Sequence, residues 1–285
     1  MSLYSIPPKV LYRYRPSGTD YFEEEVRQLR NNGIFLTPAA FLNDPFDCSP
    51  AIEETPLKVI ANAIRDIGVD KFRRFRMKRA KASGIYPPDA LKTLRSHYRN
   101  SLSAAKFEAP IANNVFKVYK DKDLLVSCLS EVHDSVLMWS HYAESHKGFV
   151  VEYHSGTPTI GVTTNALPLK VNYVDKRPKF TTIEIIKWCV QSEEQELAAG
   201  NIVQEGLYLT KSSAWEKELE WRLVEPRRSR TGYYNYSNLV PMRIIVGARM
   251  SDDKVNFIRS NLPNLDILRA VPDPVSYALG FEEIF

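Results

Sequence analysis

Residues 10–15, Val-Leu-Tyr-Arg-Tyr-Arg, alternate with period two, and the turn Pro16-Ser17-Gly18 closes them. This predicts a short strand with Leu11, Arg13 and Arg15 on one face and Val10, Tyr12 and Tyr14 on the other. A helix is predicted over 21–31, where Phe22, Val26, Leu29 and Arg30 recur at helical spacing. Thr19 or Asp20 caps it, acidic residues fill its first turn, and Gly33 stops it. An apolar run from Ile34 to Leu36 follows, leading to the segment Phe41 to Asp47.

The pattern turns wholly helical over 56–107. Leu57, Ile60, Ala61, Ile64 and Ile67 keep helical spacing, a basic stretch runs from Lys71 to Lys81, and Pro87-Pro88-Asp89 opens a helix carrying Leu91, Leu94, Tyr98 and Leu102. This segment is expected to be a basic α-helical insertion within a single domain, 1–285. From Leu124 onward strands are predicted at 124–129, 149–153, 167–174, 219–224 and 239–246, with helices at 135–145, 181–199 and 252–261. Strands and helices do not alternate regularly, which favours α+β, with a mixed or antiparallel central sheet, over a doubly wound sheet.

Composition adds bounds. At 285 residues, 44% hydrophobic and 25% charged, the chain is globular in character, and a disordered or collagenous protein is excluded. The net charge of +4 is unevenly spread: residues 65–99 hold eleven basic and three acidic residues, or +8, leaving −4 for the rest. Those helices are either a solvated face or a surface for an acidic partner such as nucleic acid. Cys48, Cys128 and Cys189 are far apart and form no CxxC pair, so neither a disulfide framework nor a zinc site is expected, and a cytoplasmic location fits. No stretch approaches the roughly 18 apolar residues of a membrane span, and the N-terminal residues lack a signal-peptide core, so no membrane partner is expected.

Three segments carry candidate chemistry. Trp215 to Leu223 places Leu219, Trp221 and Leu223 on one strand face, with Glu216, Glu218, Glu220 and Arg222 on the other, neighbours about 6.5–7 Å apart. Either this is an exposed face neutralised by Arg222 and Lys217, or the repelling carboxylates raise one pKa or grip a cation. Asn43-Asp44-Pro45-Phe46-Asp47 has the residue types of a tight turn; otherwise Asp44 and Asp47 line a cleft above Phe41 and Phe46. Around Met138 to Ala143, helical spacing puts Val136, Trp139 and Tyr142 or Ala143 on one side as core residues; otherwise Trp139 and Tyr142 wall a pocket and stack on a planar ring. His133, His141 and His146 lack metal-pair spacing, and no GxSxG, GxGxxG or GxxxxGK occurs. Phosphates of any bound nucleotide would fall to Arg13, Arg15 or Arg222.

The ordered set Leu11-Tyr12-Arg13-Tyr14, Phe41 to Asp47, Ser127-Cys128-Leu129-Ser130, Met138 to Ala143, His146-Lys147-Gly148, then Lys211, Trp215, Glu218, Glu220, Trp221 and Arg222 resembles an uncharacterised bacterial family catalogued as a domain of unknown function. A second resemblance, to ADP-ribosyltransferases that split NAD, rests on Arg13 in the first strand, Ser127 and Ser130 in a middle strand, and Glu218-Leu219-Glu220 late in the chain. It implies an ADP-ribosyltransferase-like sheet and an NAD-consuming transferase or glycohydrolase, of the kind used by bacterial toxins and defence effectors. By that resemblance Glu220 and Glu218 are catalytic: Glu220 binds the ribose 2′-hydroxyl and stabilises an oxocarbenium-like state, and Glu218 orients or deprotonates the acceptor. The nucleotide would meet Tyr12, Arg13, Arg15, Asn43, Asp44, Asp47, Ser127, Ser130, Trp139, Tyr142 and Arg222, with NAD as substrate and no metal expected. The middle motif departs from that family, being Ser-Cys-Leu-Ser where Ser-Thr-Ser is usual. Two other classes stand beside this one: a metal-dependent nuclease or phosphohydrolase using Asp44, Asp47, Glu218 and Glu220, and a non-catalytic nucleotide-binding module.

Overall fold

A computed structural model describes residues 5–83, 88–118, 120–121, 124–156, 167–191, 202–226 and 231–284. The chain divides into two compact units, the first formed by 1–43, 123–175 and 211–285, the second by 44–122 and 176–210. The helical segment 56–107 lies in the second unit, together with flanking residues on both sides and a later stretch of chain.

In chain order the first unit opens with β1 (Val10–Arg15), α1 (Phe22–Leu29) and β2 (Gly33–Pro38). The second unit follows with β3 (Ala51–Glu53), α2 (Leu57–Ile67), α3 (Val69–Ser83), α4 (Pro88–Ser96) and α5 (Ser101–Val118). The first unit resumes with β4 (Leu124–Ser130), α6 (Val136–Tyr142), β5 (Phe149–Ser155), β6 (Leu169–Lys170) and β7 (Asn172–Val174). Next come β8 (Lys179–Thr181), α7 (Thr182–Gln191) and α8 (Ile202–Tyr208) of the second unit, then β9 (Thr210–Ser212) and β10 (Glu220–Pro226). The chain closes with β11 (Gly232–Asn235), β12 (Leu239–Val246), α9 (Asp252–Asn261), β13 (Asp266–Pro272) and β14 (Leu279–Glu283) of the first unit.

The first unit is built on a ten-stranded sheet among the described residues, in the order β11-β2-β4-β1-β5-β12-β13-β14, with β10 paired to β4 and to β6. Its pairs are antiparallel apart from β12 with β13. The α+β class with a mostly antiparallel sheet is thus observed. Both faces are covered, and alternation assigns them. Leu11, Phe149, Val151, Trp221 and Leu223 pack with α1 and α9 on one face. Tyr14, Val150 and Ile245 pack with Met138 and Trp139 of α6 on the other. Burying side chains on both faces gives the sheet the near-continuous apolar strands seen at 124–129 and 149–153.

The second unit is mainly helical. Ile60, Ala61 and Ile64 of α2 are buried, and the helix ends at Gly68, whose φ of +102° suits glycine alone. The predicted continuous helix from Pro88 through Leu102 is interrupted: α4 ends at Ser96, and Asn100 starts α5 by accepting a hydrogen bond from Ser103 N at 2.8 Å. One basic residue of α3 is consumed internally, since Arg76 Nε donates to Glu108 at 2.9 Å and Tyr98 donates to the same carboxylate. Of the helix predicted at 181–199, α7 accounts for 182–191, Thr181 closes β8, and 192–199 lie outside the described residues.

Candidate functional site

The predicted strand around Leu219 starts one residue late, and that shift makes the site. Ser213–Glu218 is a 3₁₀ turn, Leu219 takes a left-handed conformation (φ 46°, ψ 51°), and β10 begins at Glu220. A bulky L-residue rarely adopts this backbone. The reversal turns Glu218 and Glu220 onto one ammonium: Lys211 Nζ lies 2.5 Å from Glu218 Oε2 and 2.9 Å from Glu220 Oε2. Ser130 Oγ fixes the turn by donating to the Glu218 carbonyl at 2.7 Å, and Tyr173 accepts from Glu220 N at 2.8 Å.

This cluster is no exposed face. Relative exposure is 6% for Lys211, 7% for Glu218, 3% for Glu220 and 0% for Arg222. The expectation of a neutralised, solvated strand face therefore fails, because the face opposite Trp221 is covered. Arg222 Nε donates to Glu220 Oε1 at 2.7 Å, and a second guanidinium nitrogen reaches Oε2 at 3.1 Å. Burial by itself would raise the Glu220 pKa, but Arg222 and Lys211 overcome it and hold the carboxyl below its ordinary range. Burial likewise opposes charge on Lys211, and Glu220 with Glu218 reverses it, so the ammonium pKa is raised. Glu220 is a fixed anion, not a raised-pKa acid. Burial and the Glu220 carboxylate push the Cys128 thiol well up, which removes it as a thiolate nucleophile.

Glu218 differs from Glu220 in what it borders. Tyr142 donates to Glu218 Oε1 at 2.6 Å, and Asn43 Nδ2 donates to the Tyr142 hydroxyl at 3.3 Å. Burial raises the Tyr142 pKa, with Lys211 pulling it down and Glu218 adding to the rise, so the phenol stays protonated. Glu218 and Tyr142 line a pocket of about 180 Å³ whose remaining walls include Leu137, Met138, His141 and Trp215. Trp215 is held by Lys211 Nζ, 5.2 Å from its ring centroid, and by an edge contact to His141.

The sheet brings Ser130, Tyr142, Glu218, Glu220 and Arg222 together, with Asn43 behind Tyr142. Tyr12 lies on the same sheet face, its ring 4.7 Å from that of His133, and pairs across the strands with Ser130. Trp139 is a core residue: it is fully buried, donates to the His133 carbonyl at 2.7 Å and meets Tyr14 edge-on. Arg13, Arg15 and Ser127 are on the other face. Register puts Ser127 beside Leu223, and the two arginines meet buried Glu25 of α1, at 3.5 and 2.5 Å, while Arg13 also donates to the Phe35 carbonyl. They brace α1 on the sheet. Asp44 and Asp47 belong to the second unit, where Asp44 Oδ1 accepts from Phe46 N at 2.8 Å in a tight turn. Phe41 and Phe46, expected to be packed apolar residues, are both exposed. Among the described residues no group of three or more His, Cys, Asp or Glu side chains is placed to hold a metal ion.

Sequence reasoning left Lys211 without a role and omitted Tyr173 and Glu25. The cue for Glu25 was available, as the third of three acidic residues in a first turn and the one on the buried stripe with Phe22 and Val26.

The site defines a class: an α+β sheet protein with a buried cluster of two carboxylates and two cations beside a small aromatic pocket. Residues 138–223 match a family model described as a protein of unknown function (DUF2971). That window contains Tyr142, Lys211, Glu218, Glu220 and Arg222, and it agrees with the resemblance to an uncharacterised family over those residues. No curated protein and no solved structure matches the chain. No helix among the described residues is long and apolar enough to cross a membrane.

Proposed function

We propose that the protein splits NAD, as an ADP-ribosyltransferase-like or NAD glycohydrolase-like enzyme, and that Glu218 does the work the resemblance gives to Glu220. The observation that carries this is the Glu218 carboxylate, positioned by Tyr142 and Lys211 on the wall of a ring-sized pocket beside Trp215 and His141. The nicotinamide ring of NAD is a flat cation, complementary to an aromatic pocket with a fixed anion. A preorganised carboxylate there also stabilises the positive charge that grows on the ribose as nicotinamide departs. Glu220, clasped by Arg222 and Lys211, serves as the anchor that fixes Lys211. Such consumption of a central cofactor suits a toxin or defence effector. Purified protein given NAD, with and without candidate acceptors, is expected to release nicotinamide, and Glu218→Gln to abolish this while remaining folded. Absence of both NAD binding and nicotinamide release overturns the proposal.

A second reading has its own support. The two carboxylates are balanced by two cations, which suits a rigid recognition pocket as well as a reacting one. A nucleotide-binding module predicts saturable NAD or ADP-ribose binding with the ligand recovered intact. For a larger partner, Arg74, Lys78 and Lys81 recur at helical spacing on α3 and are not used by the Arg76 to Glu108 pair, which suits an acidic macromolecule such as nucleic acid.

A further inference from the structure

Between α6 and β5 the chain takes a course that L-residues seldom follow. Glu144, Ser145 and His146 have φ values of +51°, +52° and +67° in succession, and strain of this kind persists only where the surroundings impose it. Here they do. Glu144 Oε2 accepts from the backbone N–H groups of Ser17 at 3.1 Å and Gly18 at 2.6 Å. The His146 carbonyl accepts from Arg249 N at 2.9 Å, and a Cβ at Gly247 would stand 2.1 Å from that same oxygen. Glycine is required for this approach.

The result sets His146 and Arg249 side by side on the wall of a cavity of about 550 Å³. Val136 and the β13–β14 connection, Pro272 to Leu279, supply the other walls. His146 is held in place, its ring parallel to Trp139 within 11° and its Nε2 3.4 Å from Ser140 Oγ. The Arg249 guanidinium makes one long hydrogen bond among the described residues, to the Ser145 carbonyl at 3.4 Å. Across the cavity Asp273 Oδ1 is engaged by Val275 N, Ser276 N and Ser276 Oγ, at 2.6–3.0 Å, so its charge shapes the connection. That leaves Val275 and Tyr277 fully exposed at its tip.

We propose that this cavity binds an organic anion bearing a planar ring, its charged group met by Arg249 and its ring by Tyr277 and the apolar connection. The volume falls in the usual range for small-molecule sites, about 300–1,000 Å³. Arginine offers paired donors to a carboxylate or a phosphate, and a tyrosine ring offers a stacking face. Burial and the neighbouring Arg249 both depress the His146 pKa, so the imidazole beside the guanidinium disfavours a second positive charge. This site shares no lining residue with the Glu218 pocket, although both border α6.

Calorimetric titration of the full chain with adenosine monophosphate, benzoate and inorganic phosphate tests it. One of the two ring anions is expected to bind at least tenfold more tightly than inorganic phosphate, and comparing the two tells phosphate from carboxylate as the preferred charged group. Arg249→Ala should weaken that binding about tenfold, the effect of losing one charge-assisted contact, and Tyr277→Ala should weaken it too. Glu218→Gln should leave it unchanged, which separates this site from the NAD pocket. Failure of both ring anions to bind at millimolar concentration overturns the proposal. So does affinity that survives both Arg249→Ala and Tyr277→Ala, or inorganic phosphate binding as tightly as either ring anion.

Discussion

The hydroxyl of Tyr142 donates a 2.6 Å hydrogen bond to the carboxylate of Glu218, joining the last residue of α6 to the turn that precedes β10. A side chain from a helix on one sheet face thereby sets the orientation of an acid that the local backbone already constrains.

Tyr142→Phe keeps the ring and removes that bond. A hydrogen bond to a charged group is worth about 1.5–3 kcal/mol, so chemical denaturation should show a loss of that order. If the pocket splits NAD, turnover should fall at least as far as stability suggests. Unchanged stability would show that the bond carries no energy.

Lys211→Met takes one ammonium from two buried carboxylates. Breaking a buried ion pair from one side costs about 3–5 kcal/mol, and the midpoint of urea unfolding should drop accordingly. Combining it with Glu218→Gln should recover part of the loss, because the two changes remove opposite charges. Strict additivity of the two effects would contradict the shared contact.

Leu219 carries positive φ, so its substitutions should rank by backbone tolerance. Leu219→Gly should stay within about 1 kcal/mol of the parent, since relief of strain offsets the greater freedom of the unfolded chain. Leu219→Val, branched at Cβ, should cost at least about 1 kcal/mol more than the glycine variant. The reverse order in thermal melts would mean that the turn is not held left-handed in solution.

Stability should decline at both ends of the pH scale, for opposite reasons. The folded Glu220 pKa is lowered, so its contribution is complete above its unfolded value near 4.5 and is lost as pH falls through the folded value. The folded Lys211 pKa is raised, so its contribution is complete below its unfolded value near 10.5 and is lost as pH rises through the folded value. Urea unfolding from about pH 3 to about pH 11 should show a plateau between those limits. The acid limb should flatten in a Lys211→Met, Glu220→Gln double variant.

Changing Arg74, Lys78 and Lys81 to Gln should weaken binding of a short nucleic acid. The slope of log affinity against log salt should become shallower by roughly 0.7–0.9 for each phosphate that these side chains no longer neutralise. Arg76 serves as the internal control, because its charge is spent on Glu108. An unaltered salt slope would return α3 to an ordinary solvated face.

Much of the first unit could be read from periodicity alone. The strands at Val10–Arg15 and Leu239–Val246 and the helix at Asp252–Asn261 stand where alternation and acidic first-turn residues placed them. Face assignment also succeeded for β1, since Leu11 and Arg13 do point the same way. What failed was the meaning of the face: Arg13 and Arg15 meet Glu25 because α1 packs over them, an arrangement fixed by tertiary structure and invisible to local spacing. Leu219 misled for a different reason. Leucine is not a turn residue, and only the converging pull of Lys211, Ser130 and Tyr173 on its neighbours accounts for the reversal. The division into two units had no linker signature, because the second unit is drawn from separate stretches of chain.

That discontinuity orders events during synthesis. β5 lies between β1 and β12, pairing Arg13 with Val151 and Ile244 with Val151, so the central strands come from early, middle and late parts of the chain. Closing such long loops is entropically costly and slow. As the chain leaves the ribosome, α2 to α5 emerge before either strand that flanks β1 exists, and the sheet stays incomplete until β13 and β14 have cleared the exit. The edge of β1 must wait for β4 and β5, and the far edge of β5 for β12. Those two edges are where a chaperone has most to shield.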